Sequence, residues 1–242
     1  MNYKVSHPTK KIFCEIDLPA SKSISNRLLI ISALCLNKFK IQNLSDSQDT
    51  TSLKNAIDSN NRTLDVGAAG TSFRFLTAFL STLNGLEYIL TGSDRMKERP
   101  IKELVDSLRK LGAQIEYLGK EDFPPLKITG KNLTGGKIKI DGSISSQFIS
   151  ALLLIAPNLK NGIELEIVGD IVSKPYINMT LSLMKYYGVD HVWEGNTIYV
   201  KSQKYIAKDY KVESDWSSAS FWYQIASLSE DCNIKIRGLD KR

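Results

Sequence analysis

Apolar and polar residues alternate with a period of two at 11–18, 39–44, 87–91, 114–118, 137–140, 163–168, 197–201 and 233–237. That is the pattern of strands with one buried face. Between them, apolar positions recur every three or four residues at 25–35, 72–82, 101–111, 146–155, 177–187 and 217–227, which predicts helices. Strands alternating with helices along the whole chain predict an α/β class. No Gly/Ser linker or low-complexity tract divides the sequence. The longest apolar run, 28–36, is far short of a membrane span, and no apolar stretch behind the N-terminus suggests a signal peptide.

The elements repeat. The strand ending at Gly92, the Arg99-Pro100 pair and the helix ending at Gly112 recur as Gly169, Lys174-Pro175 and Gly188, about 75 residues later. Pro opens each helix and Gly closes it, the asymmetry expected of helix termini. In phase with these, Thr71-Ser72, Ser145-Ser146 and Ser217-Ser218 each open an apolar helix, and Ser23 and Ser25 open a fourth. A third strand and glycine end at Gly238, where the pattern calls for another helix and only 239–242 remain. The chain is therefore expected to be a piece of a longer protein.

Composition narrows the function. With 242 residues, 42% of them hydrophobic and 24% charged, the chain can bury a substantial core without metal or disulfide staples. The 32 Lys and Arg against 26 Asp and Glu leave a net charge of +6, which suits anionic partners. The cations are scattered, usually near carboxylates, and this argues against nucleic acid and membrane surfaces and for small acidic metabolites. Three widely spaced cysteines without a CxxC predict free thiols in a reducing cytoplasm; with two distant histidines they offer no metal site.

Four segments could carry chemistry. Lys22, Ser23, Ser25 and Arg27 put cations and hydroxyls at a helix start, where backbone amides and the helix dipole favour an anion; Ser23 or Ser25 as a plain cap is the alternative. Gly67, Ala68, Ala69, Gly70 and Thr71 form a glycine-rich turn before a helix, either an anion cradle or a tight turn, and match neither GxGxxG nor a P-loop. Arg95, Lys97 and Arg99 crowd a loop whose counterpart holds Ser173, Lys174, Pro175 and Tyr176. Ser145, Ser146 and Gln147 suit a polyol or phosphate, or simply cap a helix. Asp49 reads as a cap, a general base or a partner for Lys22, and Asp215 is similarly open. Phe73, Phe75, Phe79, Phe221, Trp222 and Tyr223 are expected in the core.

Six collinear segments, 21–27, 70–74, 95–101, 141–147, 173–176 and 215–220, resemble the N-terminal half of the 5-enolpyruvylshikimate-3-phosphate synthases, with the run from Arg95 to Ile101 the most specific. The resemblance implies the enolpyruvyl transferase fold: a threefold repeat of βαβαββ units with helices inside and sheets outside, one of the family's two domains being present. It implies that 1–19 is a strand segment belonging with the absent second domain, that 20–239 is the shikimate 3-phosphate-binding domain, and that 240–242 is a crossover stub.

The family joins shikimate 3-phosphate to phosphoenolpyruvate through a tetrahedral adduct and releases phosphate. By position, Lys22, Ser23, Arg27, Ser145, Ser146, Gln147, Ser173 and Tyr176 are implied to hold shikimate 3-phosphate. Lys22, Gly70, Thr71, Arg99 and Gln147 are implied to hold phosphoenolpyruvate or the inhibitor glyphosate, and Lys22, Asp49 and Arg99 to serve catalysis. No metal or cofactor is implied, and the complete protein is expected to be a cytoplasmic monomer.

Ala68 replaces the family's usual asparagine, removing one side-chain contact to phosphoenolpyruvate, and Phe75 replaces its usual proline after the loop arginine, which leaves the response to glyphosate open. The second domain's acid/base carboxylates lie beyond 242, so the piece alone is expected to bind substrate weakly and turn over little. The alternatives are a UDP-N-acetylglucosamine enolpyruvyl transferase, which typically carries a cysteine in the loop occupied here by 95–99, and a non-catalytic domain that binds anions or nucleic acid.

Overall fold

The computed structural model describes residues 6–143 and 145–240. Residues 1–5 of the expected first segment, Ile144 of the 141–147 motif and 241–242 of the expected stub lie outside the described residues. The chain enters through β1 (Lys11–Asp17) and α1 (Lys22–Leu34), followed by β2 (Ile41–Gln42) and α2 (Gln48–Asp58). α2 escaped the periodicity because it is largely polar and buries only Thr50 and Leu53.

Two full repeats follow. The first runs β3 (Thr63–Asp65), α3 (Gly70–Ser81), β4 (Glu87–Thr91), the short α4 (Asp94–Lys97), α5 (Lys102–Lys110), β5 (Gln114–Tyr117) and β6 (Leu126–Thr129). The second runs β7 (Gly136–Asp141), α6 (Ser146–Ile155), β8 (Ile163–Val168), α7 (Lys174–Tyr186), β9 (Val192–Glu194) and β10 (Thr197–Val200). Their sheets have the same plan, β3-β4-β6-β5 and β7-β8-β10-β9: a parallel pair extended by an antiparallel hairpin. β11 (Tyr210–Lys211) pairs in parallel with β2 and begins a third sheet.

Helices line the inside and sheets the outside, because strands and helices bury differently. β4, β7 and β8 bury alternate residues, so each sheet turns one face inward. α3 is buried over all 12 residues and α6 from Phe148 to Ile155, so both must be apolar all round. The polar residues of α3 satisfy themselves: Thr77 and Ser81 donate to the carbonyls of Phe73 and Thr77 at 2.8 and 2.7 Å. Ile149 of α6 is 1% exposed in this core. Ile149→Val should destabilise the chain by about 1 kcal/mol and lower its melting temperature by about 2–4 °C. Urea unfolding should show a lower midpoint at an unchanged slope.

A separate layer stands beside this core. β12 (Asp231–Arg237) pairs in parallel with β1 and carries α8 (Trp216–Ser227). The continuous apolar core extends only from Ala20 to Val212 and takes nothing from β1, α8 or β12. The sequence reading ran the first domain on to 239, but α8 and β12 sit with β1 instead. Phe221 and Tyr223, expected in the core, are 67% and 54% exposed, since α8 buries only Ala219. Phe73, Phe75 and Phe79 are buried as expected. Two chain crossings join the layer to the core side by side, the Ser21 amide donating to Glu213 O and the Asp215 amide to Pro19 O, both at 2.9 Å. Among the described residues no helix is long and apolar enough to cross a membrane.

Candidate functional site

α1, α6 and α7 start at one cleft of about 390 Å³. α1 contributes Lys22, Ser23 and Arg27; α6 contributes Ser145, Ser146 and Gln147; α7 contributes Ser173 and Tyr176. Thr71 of α3 and Asp215 and Ser217 of α8 complete the wall. Helix starts can converge here because the repeats are stacked with their helices inward, so equivalent ends meet on one side.

The capping roles differ from those expected. Ser21 caps α1, its hydroxyl accepting from the Ile24 amide at 3.4 Å, which leaves Ser23 facing the cleft, while Ser25 accepts from the Ser45 amide at 3.0 Å. Ser47, not Asp49, caps α2. Asp49 offers its backbone carbonyl to the Ser72 hydroxyl at 2.6 Å, and among the described residues no ion pair joins it to Lys22. Ser145 caps α6 through the Gln147 amide at 3.3 Å, and Asp215 caps α8 through the Ser217 amide at 2.7 Å. Both therefore cap and also line the cleft.

Gly67 and Gly70 divide the two roles open for their loop. Gly67 sits at φ +57°, its amide bound to Asp65 Oδ1 at 2.8 Å, and makes the tight turn. Gly70 opens α3 behind Ala69, which has no side-chain cap, so the first amides of α3 are left for another acceptor. The Arg99 guanidinium lies directly over Gly70 and fixes this second subsite beside the first. With Ala68, Arg95 and Met96 it lines an adjoining depression of about 470 Å³. Gln147 links the two, its Nε2 donating to Thr71 Oγ1 at 3.2 Å. The repeat counterpart of Arg99 behaves differently: Lys174 lies over the Trp193 ring, 5.2 Å from its centroid.

The electrostatics are one-sided. Among the described residues, Lys22, Arg27, Arg74, Arg95 and Arg99 make no ion pair. Burial brings the Arg27 guanidinium down to about 10, with Tyr176 pulling weakly the other way. Arg74, absent from the sequence-based site residues, also lies near 10, through burial first and then the charge on Arg99, against a smaller pull from Asp49. Both remain cationic at neutral pH. A cleft of unpaired cations, free hydroxyls and helix N-termini can hold a small polyanion in two adjacent subsites.

The sequence profile described as EPSP synthase (3-phosphoshikimate 1-carboxyvinyltransferase) matches residues 6–59 and 52–242. The chain belongs to this family. The 3-phosphoshikimate 1-carboxyvinyltransferase of Bacteroides fragilis (strain YCH46) is 52% identical over 240 residues, covering 99% of this chain and 58% of that relative. That of Actinobacillus pleuropneumoniae serotype 5b is 40% identical over 270 residues, with 97% and 61% covered. The chain thus spans about 58% of the length of the Bacteroides protein. An EPSP synthase structure from Acinetobacter baumannii superposes with a TM-score of 0.80 at 23% identity over 96% of this chain and 56% of that one, which shows the shared enolpyruvyl transferase fold. Neither sequence-based alternative, the UDP-sugar transferase or the non-catalytic binding domain, finds support in these matches.

Proposed function

We propose that this chain is the shikimate 3-phosphate-binding half of an enolpyruvyl transferase. The whole enzyme adds the 5-hydroxyl of shikimate 3-phosphate to C2 of phosphoenolpyruvate as its C3 methylene takes a proton. The resulting tetrahedral adduct then loses phosphate and a proton from its C3 methyl group. The observation that carries this reading is the set of unpaired cations facing hydroxyl-lined helix starts. Their charge is balanced only when an anion occupies the cleft.

On this reading Ser23, Arg27, Ser145, Ser146, Ser173 and Tyr176 take the phosphorylated cyclohexene, while Lys22 and Gln147 stand between the subsites. Arg99 and the Gly70 and Thr71 amides take phosphoenolpyruvate. Fixed cations that meet the adduct's charge without reorganising lower its energy. Asp49 supports the cationic cluster through Arg74 rather than through Lys22. Residues 6–19 and 215–240 belong to a second lobe, whose remainder carries the acid/base groups, so the chain alone binds without turning over.

Titration calorimetry tests the binding half. Shikimate 3-phosphate should bind at least about tenfold more tightly than shikimate, the scale of one charge-assisted contact to the phosphate. Saturating ligand should also raise the melting temperature. Absence of heat with the phosphate ester, or equal affinity for shikimate, would refute the assignment. Phosphate release from phosphoenolpyruvate by the chain alone would refute the division of labour between lobes.

A further inference from the structure

Arg27 spans three helices. Its Nε donates to Thr180 Oγ1 at 2.7 Å, its Nη1 to Ser23 O at 2.9 Å, and its Nη2 to Ser150 Oγ at 2.9 Å and Tyr176 O at 3.3 Å. Ser150 lies on α6 and Thr180 on α7, both fully buried, in segments that read from sequence as apolar core. The two hydroxyls are 2.9 Å apart, and Thr180 Oγ1 is also 2.9 Å from Tyr176 O.

Proton inventory fixes the direction of every bond. A hydroxyl has one proton and two acceptor sites. Thr180 must give its proton to the Tyr176 carbonyl, which can only accept. The Ser150 proton therefore goes to Thr180 Oγ1, and Ser150 Oγ accepts from Arg27. Thr180 then accepts both from Ser150 and from Arg27 Nε, and its capacity is full. Four of the five guanidinium N–H groups are engaged this way, and the fifth, on Nη1, is left beside the cleft that Arg27 lines.

We propose that Ser150 and Thr180 are positioning residues for Arg27, a hydroxyl relay that sets the guanidinium plane and aims its one unengaged N–H at an acidic group of the bound substrate. The proposal rests on the reading of the cleft as a shikimate 3-phosphate site, but its geometric half stands apart from it. The pair touches no ligand and acts through Arg27 alone. A purely apolar pair at these positions would leave the buried Nε–H without an acceptor and the plane held only through the Ser23 and Tyr176 carbonyls.

The test compares Thr180→Val, which keeps the shape and removes the hydroxyl, with Thr180→Ser, which keeps the hydroxyl. The Arg27 Nε–H signal is followed by NMR and assigned by its absence in Arg27→Lys. Thr180→Val should lose the exchange-protected signal and weaken shikimate 3-phosphate binding about tenfold, the scale of one hydrogen bond to a charged group. Thr180→Ser should retain both. Ser150→Ala, which leaves Nη2 the Tyr176 carbonyl, should lose about threefold and serves if the valine variant does not fold. An unchanged signal and affinity in Thr180→Val or, if that variant does not fold, in Ser150→Ala, or equal losses in Thr180→Val and Thr180→Ser, would overturn the proposal. If the wild-type chain binds no shikimate 3-phosphate, the functional reading fails. The NMR comparison alone then decides: a lost signal in Thr180→Val sustains the positioning role, and a retained one overturns it.

Discussion

Replacing Arg27 by methionine leaves the melting temperature within about 3 °C of wild type, or raises it, while weakening shikimate 3-phosphate binding by at least about a hundredfold. The two halves of this expectation have different sources. Arg27 is 3% exposed and has no carboxylate partner, and burial lowers its pKa from the ordinary guanidinium value to about 10. Below pH 10 both folded and unfolded chains carry the charge, so the native state bears the full desolvation penalty at neutral pH, roughly 3 kcal/mol. The penalty is relieved only as pH rises above 10 toward the ordinary guanidinium value.

Methionine removes that penalty and fills a similar volume over the Phe75 ring, 5.5 Å from the guanidinium. It forfeits the four hydrogen bonds, but Ser150, Thr180 and the Tyr176 carbonyl still bond to one another. Gain and loss therefore roughly cancel in stability. Nothing offsets the loss in binding, because the buried charge faces an anion there. Thermal melts and calorimetry on the same preparation check both halves. A fall in melting temperature of more than about 10 °C would mean that the arginine is chiefly a structural tie.

How far the sequence foretold this arrangement depended on whether a signal was local. The helix starts at Lys22, Ser145 and Ser173 were legible because caps, cations and prolines cluster within a few residues, and the repeat showed that they recur in phase. β3, β6, β9 and β11 were missed: each has two to four residues, too few for alternation to stand out alone, and the equally short β5 and β10 were legible only within the longer runs 114–118 and 197–201. α2 was missed because it packs through two residues. The role of Ser150 and Thr180 was invisible for a different reason. A hydroxyl in an apolar helix looks like a neutral substitution until the residue opposite it, 123 or 153 positions away, proves to be a buried guanidinium. The exposure of Phe221 and Tyr223 was equally out of reach, since α8 has a helical pattern and only the topology shows that it stands on a two-stranded sheet.

Gly70→Ala should weaken phosphoenolpyruvate binding by about ten- to a hundredfold while leaving the fold intact, because the Arg99 charge is moved and no core atom is. Gly70 does not adopt a left-handed conformation, so alanine fits its backbone and, at the first position of α3, favours the helix by up to about 1 kcal/mol. The added methyl would overlap Arg99 Nη1 and meet Arg74 Nη1 at 3.0 Å. These neighbours respond differently. Arg74 is buried and held by the Gly70 carbonyl at 3.0 Å and Met96 Sδ at 3.6 Å, so it stays. Arg99 is exposed and makes no ion pair among the described residues, so its side chain swings away from the α3 amides. Shikimate 3-phosphate, held by α1, α6 and α7, should keep its affinity within about twofold, because the added methyl meets neither Lys22 nor Gln147, the residues that stand between the subsites. Calorimetry with phosphoenolpyruvate added to the chain saturated in shikimate 3-phosphate separates the two subsites. Equal losses for both ligands would show that they do not occupy distinct helix starts, and an undiminished phosphoenolpyruvate affinity would remove Arg99 from the site.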